Sequence, residues 1–337
     1  MSRLGCAAIA VLSCMSVSAF AADGPYKVVK SIKVTDGGWD YATSDLKANK
    51  VYWVRSDHTD VVDGKTGAVN ILKNSGNGHM AVVVPGTDLV VIPMRDPVKT
   101  NRIFDVKADK VVADVAGGEA PDGATYDSFS KHVFVINHNG SDATEIDAVT
   151  KTVVATIPVG GGKLEFPASD GAGKVFVNVQ AAGEIAVIDV KTHKLVTKYK
   201  MAGCEDASGL AYAAKSKVLI ASCGNGVAKV VDPQTGAELA SIPIGKGPDA
   251  VIYDPKNQVA FIPCGEDGVL EVLDVKNRKS ITKIQTLKTP PLARTGAVDS
   301  SGRLYLMSAE ADPSKPKGGG GRPAPKDGTF QVVVIGR

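Results

Sequence analysis

The sequence has few aromatic residues, almost no charge excess and no long apolar run after its first 22 residues. Aromatic residues make up 5% of its 337 residues, and 39 lysines and arginines stand against 36 aspartates and glutamates. The resulting net charge of +3 predicts no general preference for polyanions. Because a membrane-spanning helix needs about 18 or more consecutive apolar residues, we expect no transmembrane segment.

Several motifs of familiar catalytic centres are also absent. The sequence contains no G-x-S-x-G, no H-E-x-x-H and no C-x-x-C-H, and its "GGGG" run lacks the G-K-[ST] ending of a phosphate-binding loop. The sequence therefore does not indicate a serine hydrolase of that kind, a zinc protease, covalent haem attachment or a nucleotide-binding loop.

Cysteine is scarce, and two of the five cysteines, Cys6 and Cys14, fall in a segment typical of a secretory signal peptide. Arg3 precedes an apolar run over residues 4–17, and Ala19 and Ala21 supply the small residues of a cleavage site. We expect cleavage after Ala21 and a periplasmic or secreted protein. The stretch "VLSC" ending at Cys14 loosely resembles a lipoprotein cleavage site, which is the alternative.

A repeating unit runs along the rest of the chain. Each copy has a short apolar strand, an aspartate that opens a polar turn, and an alternating strand, as in "EIDAVTKTVVATIPVGGG" at residues 145–162. The aligned aspartates, at steps of 42, 42, 42, 43 and 42 residues, are Asp63, Asp105, Asp147, Asp189, Asp232 and Asp274. Each carboxylate can accept backbone N–H groups and fix the turn. A period of about 40 residues with several strands per unit is typical of a propeller blade.

The six aspartates predict six blades, and the two ends of the chain predict a seventh. The segments "LYLMS" and "FQVVVIG" form a last copy without its fourth strand, and "YKVVKSIKV" at residues 26–34 matches the missing strand. Pairing these segments would close the ring and remove the exposed edges of an open sheet. We predict an all-β, seven-bladed β-propeller that forms one domain over residues 24–337.

Cys204, Cys223 and Cys264 are the cysteines left after signal cleavage. The first two strands of a blade form a hairpin, so residues before the first strand and after the second lie at the same end. Cys204 and Cys223 hold these two positions in blade 5, and Cys264 holds the second position in blade 6. In an oxidising compartment we expect a Cys204–Cys223 disulfide with Cys264 free. The alternative is a thiolate metal or redox site.

The same hairpin geometry gathers polar side chains at one mouth of the central channel. One residue from each blade is expected there: Asp40, His79, Asp122, Glu165, Ser208, Asp249 and Arg294. The loops after the second strands add Asp57, His58, Arg95, Asp96, His138, Asn139, Asn225, Glu266, Asp267 and Glu310. Such convergence in a concave mouth is where a ligand site would be expected.

The ring has a functional and a structural interpretation. Oxygen ligands with one imidazole suit a divalent cation, for which the candidate ligands are Asp40, His79, Asp122 and Asp249. Carboxylates beside each other or beside a histidine can also serve as general acid and base. With Glu165 and Arg294, these residues form the predicted ligand-binding set. The alternative is a solvated lining whose acids pair with Arg294.

The remaining histidines and the two tryptophans carry weaker signals. His132 begins a strand and His193 lies in the turn after Asp189, so both are expected to face solvent. Trp53, within "VYWV", is expected to pack in the core, whereas Trp39 is expected at the channel wall.

Basic residues collect in the turns after the repeated aspartates, on the face opposite the ring. They are Lys65, Lys107, Lys110, Lys151, Lys191, Lys194, Lys276, Arg278 and Lys279. Such a face could meet nucleic acid or anionic lipid, or its lysines could simply keep sheet edges soluble. Nucleic acid is not the favoured partner, because no aromatic residues interleave with the lysines as a stacking platform requires.

The last blade contains a long insertion, "AEADPSKPKGGGGRPAPKDG" at residues 309–328. Its glycine run and four prolines disfavour a strand, so we expect a mobile loop. By position it projects from the same face as the ring, where it is either a lid or a disordered insertion.

The units "FPASDGAGKVFVNVQAAGEIAVIDVKTHKLVTKYKMAG" and "PDAVIYDPKNQVAFIPCGEDGVLEVLDVKNRKSITKI" resemble the YVTN-type repeat, which is WD40-like in architecture. Residues 23–337 as a whole resemble the periplasmic YncE-like propeller proteins. The resemblance implies a periplasmic binding protein, in one case with DNA as ligand. Lactonases, amine dehydrogenase large subunits and the haem d1 domains of nitrite reductases share this architecture, so the fold does not choose a function.

The sequence therefore leaves two candidate functions. The first is an exported binding or scaffolding propeller, expected to be a monomer, that uses the mouth face for a small ligand, a metal ion or a partner protein. The second is a metal-assisted, lactonase-like hydrolase or lyase whose cation is held by some of Asp40, His79, Asp122, Glu165 and Asp249. A divalent metal ion is the one cofactor that either function would use.

Overall fold

The computed structural model describes residues 24–318 and 322–337. Within these ranges the chain forms 28 β-strands in seven four-stranded antiparallel sheets and contains no α-helix. Accordingly, the described residues offer no helix of the length and apolarity needed to cross a membrane. The expected signal peptide, with Cys6 and Cys14, lies outside the described residues.

Each of the first three blades is built from four consecutive strands. Blade 1 comprises β2 (Trp39–Asp45), β3 (Lys50–Arg55), β4 (Thr59–Asp63) and β5 (Val69–Leu72). Blade 2 comprises β6 (Val82–Val83), β7 (Leu89–Pro93), β8 (Thr100–Asp105) and β9 (Lys110–Ala116). Blade 3 comprises β10 (Pro121–Asp127), β11 (His132–Asn137), β12 (Asp142–Asp147) and β13 (Thr152–Pro158).

The next three blades repeat this order. Blade 4 comprises β14 (Leu164–Ser169), β15 (Lys174–Val179), β16 (Glu184–Asp189) and β17 (Lys194–Lys200). Blade 5 comprises β18 (Ala207–Ala213), β19 (Val218–Cys223), β20 (Val227–Val231) and β21 (Glu238–Pro243). Blade 6 comprises β22 (Ile252–Asp254), β23 (Val259–Cys264), β24 (Val269–Asp274) and β25 (Thr282–Lys288).

Blade 7 joins strands from both ends of the described chain and closes the ring. It comprises β26 (Gly296–Val298), β27 (Leu304–Ser308), β28 (Gln331–Gly336) and, as its outer strand, β1 (Lys27–Lys33). The two ends pair antiparallel, with Lys27 opposite Gly336 and Lys33 opposite Gln331. The predicted seven-bladed β-propeller, closed by the first strand, is therefore confirmed.

The repeated aspartates act as turn residues, as the sequence predicts. The carboxylate of Asp63 accepts the backbone N–H groups of Lys65 at 2.9 Å and Thr66 at 2.8 Å. Those of Asp105, Asp147, Asp189, Asp232 and Asp274 accept N–H groups at matching positions. The backbone bond from Thr66 lowers the pKa of Asp63. This contact holds the last two strands of each of these six blades in register.

Burial is greatest in the second and third strands of blades 1, 3 and 4. The first strands contact those of the neighbouring blades and line the channel. Second and third strands are almost wholly buried between blades, whereas fourth strands such as β13 and β17 are mostly exposed. Valine and isoleucine dominate the inner strands, and each fully buried side chain contributes about 1.5–3 kcal/mol. Packing between blades therefore holds the rim of the channel in place.

The cysteines follow the predicted pairing. Cys204 and Cys223 form a disulfide with their Cα atoms 5.4 Å apart, and Cys264 is free and buried. Burial raises the pKa of the Cys264 thiol to about 12, which disfavours a reactive thiolate. In the basic turns, Arg278 pairs with Asp232, so part of that charge is already neutralised.

Candidate functional site

A recurring irregularity at the start of the first strand points one side chain from each of six blades toward the channel mouth. In blades 1, 3, 4 and 5 the pairing of the first two strands shifts register directly after its first residue pair. The residue following that pair is Asp40, Asp122, Glu165 or Ser208. In blades 2 and 6 an isolated bridge precedes His79 and Asp249 in the same way. Such bulges redirect side chains at the rims of barrels and next to active sites.

The first part of the ring is a cluster of Asp40, His79 and Asp122. The His79 Nδ1 atom lies 2.8 Å from Asp40 Oδ2 and 3.1 Å from Asp122 Oδ1. Arg95, from the loop after β7, places its guanidinium 2.6 Å from the same Asp40 oxygen. All three ring side chains are only 15–17% exposed, so their charges interact at low dielectric.

Asp122 also faces a second histidine and a second carboxyl group. His138 Nδ1 lies 3.5 Å from Glu165 Oε1 and 3.8 Å from Asp122 Oδ2. The same Nδ1 lies 2.7 Å from the carbonyl oxygen of Leu164. Because a carbonyl only accepts, Nδ1 carries the proton in the neutral ring and Nε2 is the unprotonated nitrogen. Tyr41 donates its hydroxyl hydrogen to Glu165 Oε2 across 3.4 Å.

The other side of the ring is an arginine–carboxylate group. Asp249 contacts Arg294 at 3.0 Å through one oxygen and Arg322, from the blade 7 insertion, at 3.3 Å through the other. Arg294 also donates to the carbonyl of Trp39 and lies over its indole, 5.0 Å from the ring centroid. Asp249, one of the predicted metal ligands, thus binds two arginines and is not part of the carboxylate–histidine cluster. Ser208 is buried, and its hydroxyl bonds to Ser222 and to the Pro248 carbonyl.

Crowding of acidic groups separates the pKa values of the three clustered carboxyls. Burial raises the pKa of Glu165 to about 9, with the negative charges of Asp122, Asp249 and Asp40 adding to the effect. Burial likewise raises the pKa of Asp122 to about 6, against the opposing charge of His79. Burial also acts on Asp40, but the hydrogen bond from His79 and nearby arginines outweigh it and lower its pKa. Burial lowers the pKa of His138, which favours its neutral form.

Two overlapping groups of three residues have ligand atoms close enough to hold one metal ion. The first is Asp40, His79 and Asp122, and the second is Asp122, His138 and Glu165. Within each group the ligand atoms lie within 4.8 Å of one another. Carboxylate oxygens with imidazole nitrogens suit borderline divalent cations such as Mn²⁺ and Zn²⁺. Asp122 belongs to both groups and is therefore the residue most central to such a site.

Most of the predicted loop residues do not join the cluster. Arg95 and His138 do, but His58 binds Asp57 at 2.6 Å and Asp60 at 3.1 Å. The exposed loop positions are Asp57, Asp96, Asn139, Asn225, Glu266, Asp267 and Glu310. Sequence reasoning missed Tyr41 and Arg322. Tyr41 follows the ring position in its strand and Arg322 stands in a glycine- and proline-rich loop, so neither carried a periodic signal.

The insertion at residues 309–328 folds over one side of the mouth. Its described residues pair with each other, through a bridge between Ala311 and Pro325 and a salt bridge of 2.9 Å between Lys315 and Asp327. Together with the blade rims they enclose a cavity of about 360 Å³ lined by Trp39, Arg294 and Arg322, among others. Trp39 therefore lies at the mouth as expected, whereas Trp53 is fully buried. The mobility of the insertion stays a prediction.

The side chain of His193 is 41% exposed, as expected, and that of His132 is 23% exposed. Both histidines also contact one buried carboxylate. The Nδ1 atoms of His132 and His193 lie 2.7 Å and 2.6 Å from the two carboxylate oxygens of Glu145, which is fully buried. Glu145 lies in blade 3 and His193 in blade 4, so the contact joins two blades. No sequence pattern indicates this contact, because Glu145 and His193 are 48 positions apart.

Comparison with known proteins supports the fold and leaves the function open. No protein-family model and no curated protein sequence matches the chain. Among solved structures, the hydrazine synthase of Kuenenia stuttgartiensis superposes with a TM-score of 0.72 and 13% sequence identity. The match covers 88% of this chain and 96% of that one. The chain is thus a seven-bladed β-propeller, and at this identity the likeness extends to the fold alone.

Proposed function

We propose that the protein is a binding propeller whose channel mouth holds a divalent cation in the cluster of Asp40, His79, Asp122, His138 and Glu165. The propeller fold fits a binding or scaffolding role. The observation that supports the cation is the pair of carboxylate–histidine groups sharing Asp122. Both groups lie at the rim, and their side chains are 11–18% exposed.

The charge balance of the cluster supports this proposal. Three carboxyl groups converge at low exposure, and their mutual repulsion helps raise the pKa of Asp122 to about 6 and of Glu165 to about 9. A divalent cation would compensate these charges and favour the deprotonated carboxylates, releasing protons as it binds. Each group supplies three protein ligands, the number that catalytic zinc sites use with a fourth position left to water.

Isothermal titration calorimetry with Mn²⁺ and Zn²⁺ tests the proposal. One ion should bind per chain at pH 7, and Asp122→Asn should weaken binding by at least about tenfold, since it removes a ligand from both groups. The matched control is Asp267→Asn, which alters an exposed acid on the same face and should bind as the unmodified protein does. Equal affinities for the unmodified protein and Asp122→Asn, or no binding by either, would contradict the proposal.

A second candidate function is a metal-assisted hydrolase or lyase at the same site. The raised pKa of Glu165, about 9, favours it: with the cation held by Asp40, His79 and Asp122, Glu165 would keep its proton near neutrality and serve as a general acid. This candidate predicts that metal-loaded protein hydrolyses simple lactones and that the Asp122→Ala, Asp249→Ala double variant does not. If lactones are not hydrolysed with any of the metals that bind, the binding role stands alone.

We further propose that the protein is an exported member of the YncE-like, YVTN-repeat propellers. The 42-residue repeat and its turn aspartates support the family, and the Cys204–Cys223 disulfide is compatible with an oxidising compartment. N-terminal sequencing of protein recovered from the periplasm or medium should begin at Ala22. Recovery only from the cytoplasm, with Met1 retained, would contradict export.

A further inference from the structure

We infer that the cavity between the blade 7 insertion and the channel rim binds a small organic anion, with its acidic group at Arg294 and Arg322 and its apolar body against the proline rings beside Trp39. This inference deepens the proposed function, on which it rests, by naming the class of ligand that the mouth would take. It concerns a pocket beside the carboxylate–histidine cluster, on the blade 6, 7 and 1 side of the ring.

The shape and walls of the cavity suit a small organic molecule. Its volume of about 360 Å³ is at the lower end of the usual range for ligand pockets. Carbon surfaces form much of its wall, contributed by Trp39, Leu292, Pro316, Pro323, Ala324 and Pro325. Trp39 is 6% exposed with Arg294 over one face of its indole, so it offers only part of its ring to the cavity, and a planar apolar group would pack mainly against the proline rings.

The polar part of the wall suits an anion. Arg294 and Arg322 share one carboxylate, Asp249, as their salt-bridge partner among the described residues, while Asp40 and Glu165 act on Arg322 from further away. Asp249 raises the pKa of Arg322, so its charge is held at any working pH. The Arg322 side chain is 46% exposed, and its contact with Asp249 uses one terminal nitrogen of the fork. The remaining N–H groups can donate to a second carboxylate in bidentate fashion.

Glu266 also belongs to the lining and sets the expected selectivity. It is exposed at the rim, so its charge is screened by water, whereas Asp249 is almost fully buried behind the arginines. A monoanion with a compact apolar body should therefore be preferred over a dianion, and Glu266→Gln should strengthen the binding of either.

Tryptophan fluorescence reports on this cavity, because Trp39 lines it and the only other tryptophan, Trp53, is fully buried in blade 1. Benzoate serves as the probe and benzamide as its uncharged counterpart. Benzoate should change the emission in a saturable way and bind about tenfold or more tightly than benzamide, since charge-assisted hydrogen bonds to Arg322 are lost with the amide. Trp39→Phe should abolish the change.

Two variants in the blade 7 insertion test the role of Arg322 directly. Arg322→Ala should weaken benzoate binding by about tenfold, whereas Lys326→Ala, which removes a loop cation paired with Glu310, should leave it unchanged. Equal affinities for benzoate and benzamide, or an undiminished signal in Arg322→Ala, would overturn the inference.

Mn²⁺ calorimetry on the same samples separates the two proposals: if Mn²⁺ binds and benzoate does not, this inference alone fails. If benzoate binds and Mn²⁺ does not, the cation proposal alone fails.

Discussion

Glu165 shows most clearly what crowding at the channel mouth does to a single residue. Its carboxyl is 11% exposed, accepts a hydrogen bond from the Tyr41 hydroxyl and lies near three other acids. In the unfolded chain the same group has a pKa near its ordinary value of 4.5, whereas in the folded chain the pKa is about 9. Folding therefore holds a proton on Glu165 that the unfolded chain releases.

This difference gives the stability of the metal-free protein a defined pH dependence. Since the folded chain binds the extra proton, the contribution of Glu165 is fully present below pH 4.5 and is lost as pH rises toward about 9. Glu165→Gln should remove this dependence, so its melting temperature should fall less than that of the unmodified protein between pH 5 and pH 9. Differential scanning calorimetry in the presence of a chelator measures the melting temperatures of both proteins across this pH range.

Glu205→Gln provides the control for this experiment, because Glu205 is an exposed carboxyl outside the cluster. Its curve should run parallel to that of the unmodified protein. If the Glu165→Gln curve is also parallel, the proton is not held at Glu165 and the electrostatic description of the mouth is wrong.

At the residue scale, the sequence predicted which side chains reach the mouth but not what each one contacts. Position in the repeat is enough to place Asp40, His79 and Asp122, because each follows the same irregular pair in its blade. Which residue each of these side chains contacts depends on the lengths and directions of side chains from different blades. The spacing of residues in the sequence does not contain that information. That is why the pairing of Asp249 with Arg322 and the burial of Glu145 between two histidines were missed.

At the element scale, the closing strand β1 is held by more than its ladder with β28. Tyr26, directly before it, is 2% exposed and packs edge-on against Phe261 in blade 6, with ring centroids 5.1 Å apart. Gln285 in β25 exchanges two hydrogen bonds with the Tyr26 backbone, at 3.0 Å and 2.8 Å. These contacts fix the start of β1 to the neighbouring blade as well as to its own.

Tyr26→Ala should therefore lower the free energy of unfolding by about 3 kcal/mol, as removal of a buried aromatic ring does. Urea denaturation followed by circular dichroism measures the loss. The control is Val29→Ala in the same strand, where the side chain is 45% exposed and the expected change is within about 0.5 kcal/mol. Equal losses in the two variants would mean that Tyr26 does not anchor the closing strand.

The insertion in blade 7 is the element that the sequence predicts least well. Its glycines and prolines predict the absence of a strand, and they say nothing about where the segment lies. In the structure a short bridge and the Lys315–Asp327 salt bridge organise its described residues, and Arg322 reaches the ring. The contact of Arg322 with Asp249 depends on a residue far away in the chain, so a local pattern could not reveal it.

At the scale of the whole molecule, the fold followed directly from the sequence because it is periodic. A 42-residue repeat with a turn aspartate at a fixed place predicts identical blades, and closure of the ring predicts the pairing of the two ends. Function has no such periodic signal, since each blade contributes a different residue to the mouth. The distribution of charge around the ring, with acids and histidines on one side and arginines on the other, became apparent only in three dimensions.

The central claim is that this mouth holds one divalent cation. The most direct test is a crystal structure of the protein grown with Mn²⁺, with diffraction recorded near the manganese absorption edge. We predict one strong anomalous peak within coordination distance, about 2.0–2.3 Å, of oxygen and nitrogen ligands that include Asp122. A crystal that shows no such peak among Asp40, His79, Asp122, His138 and Glu165, or shows it only on the opposite face, would contradict the account.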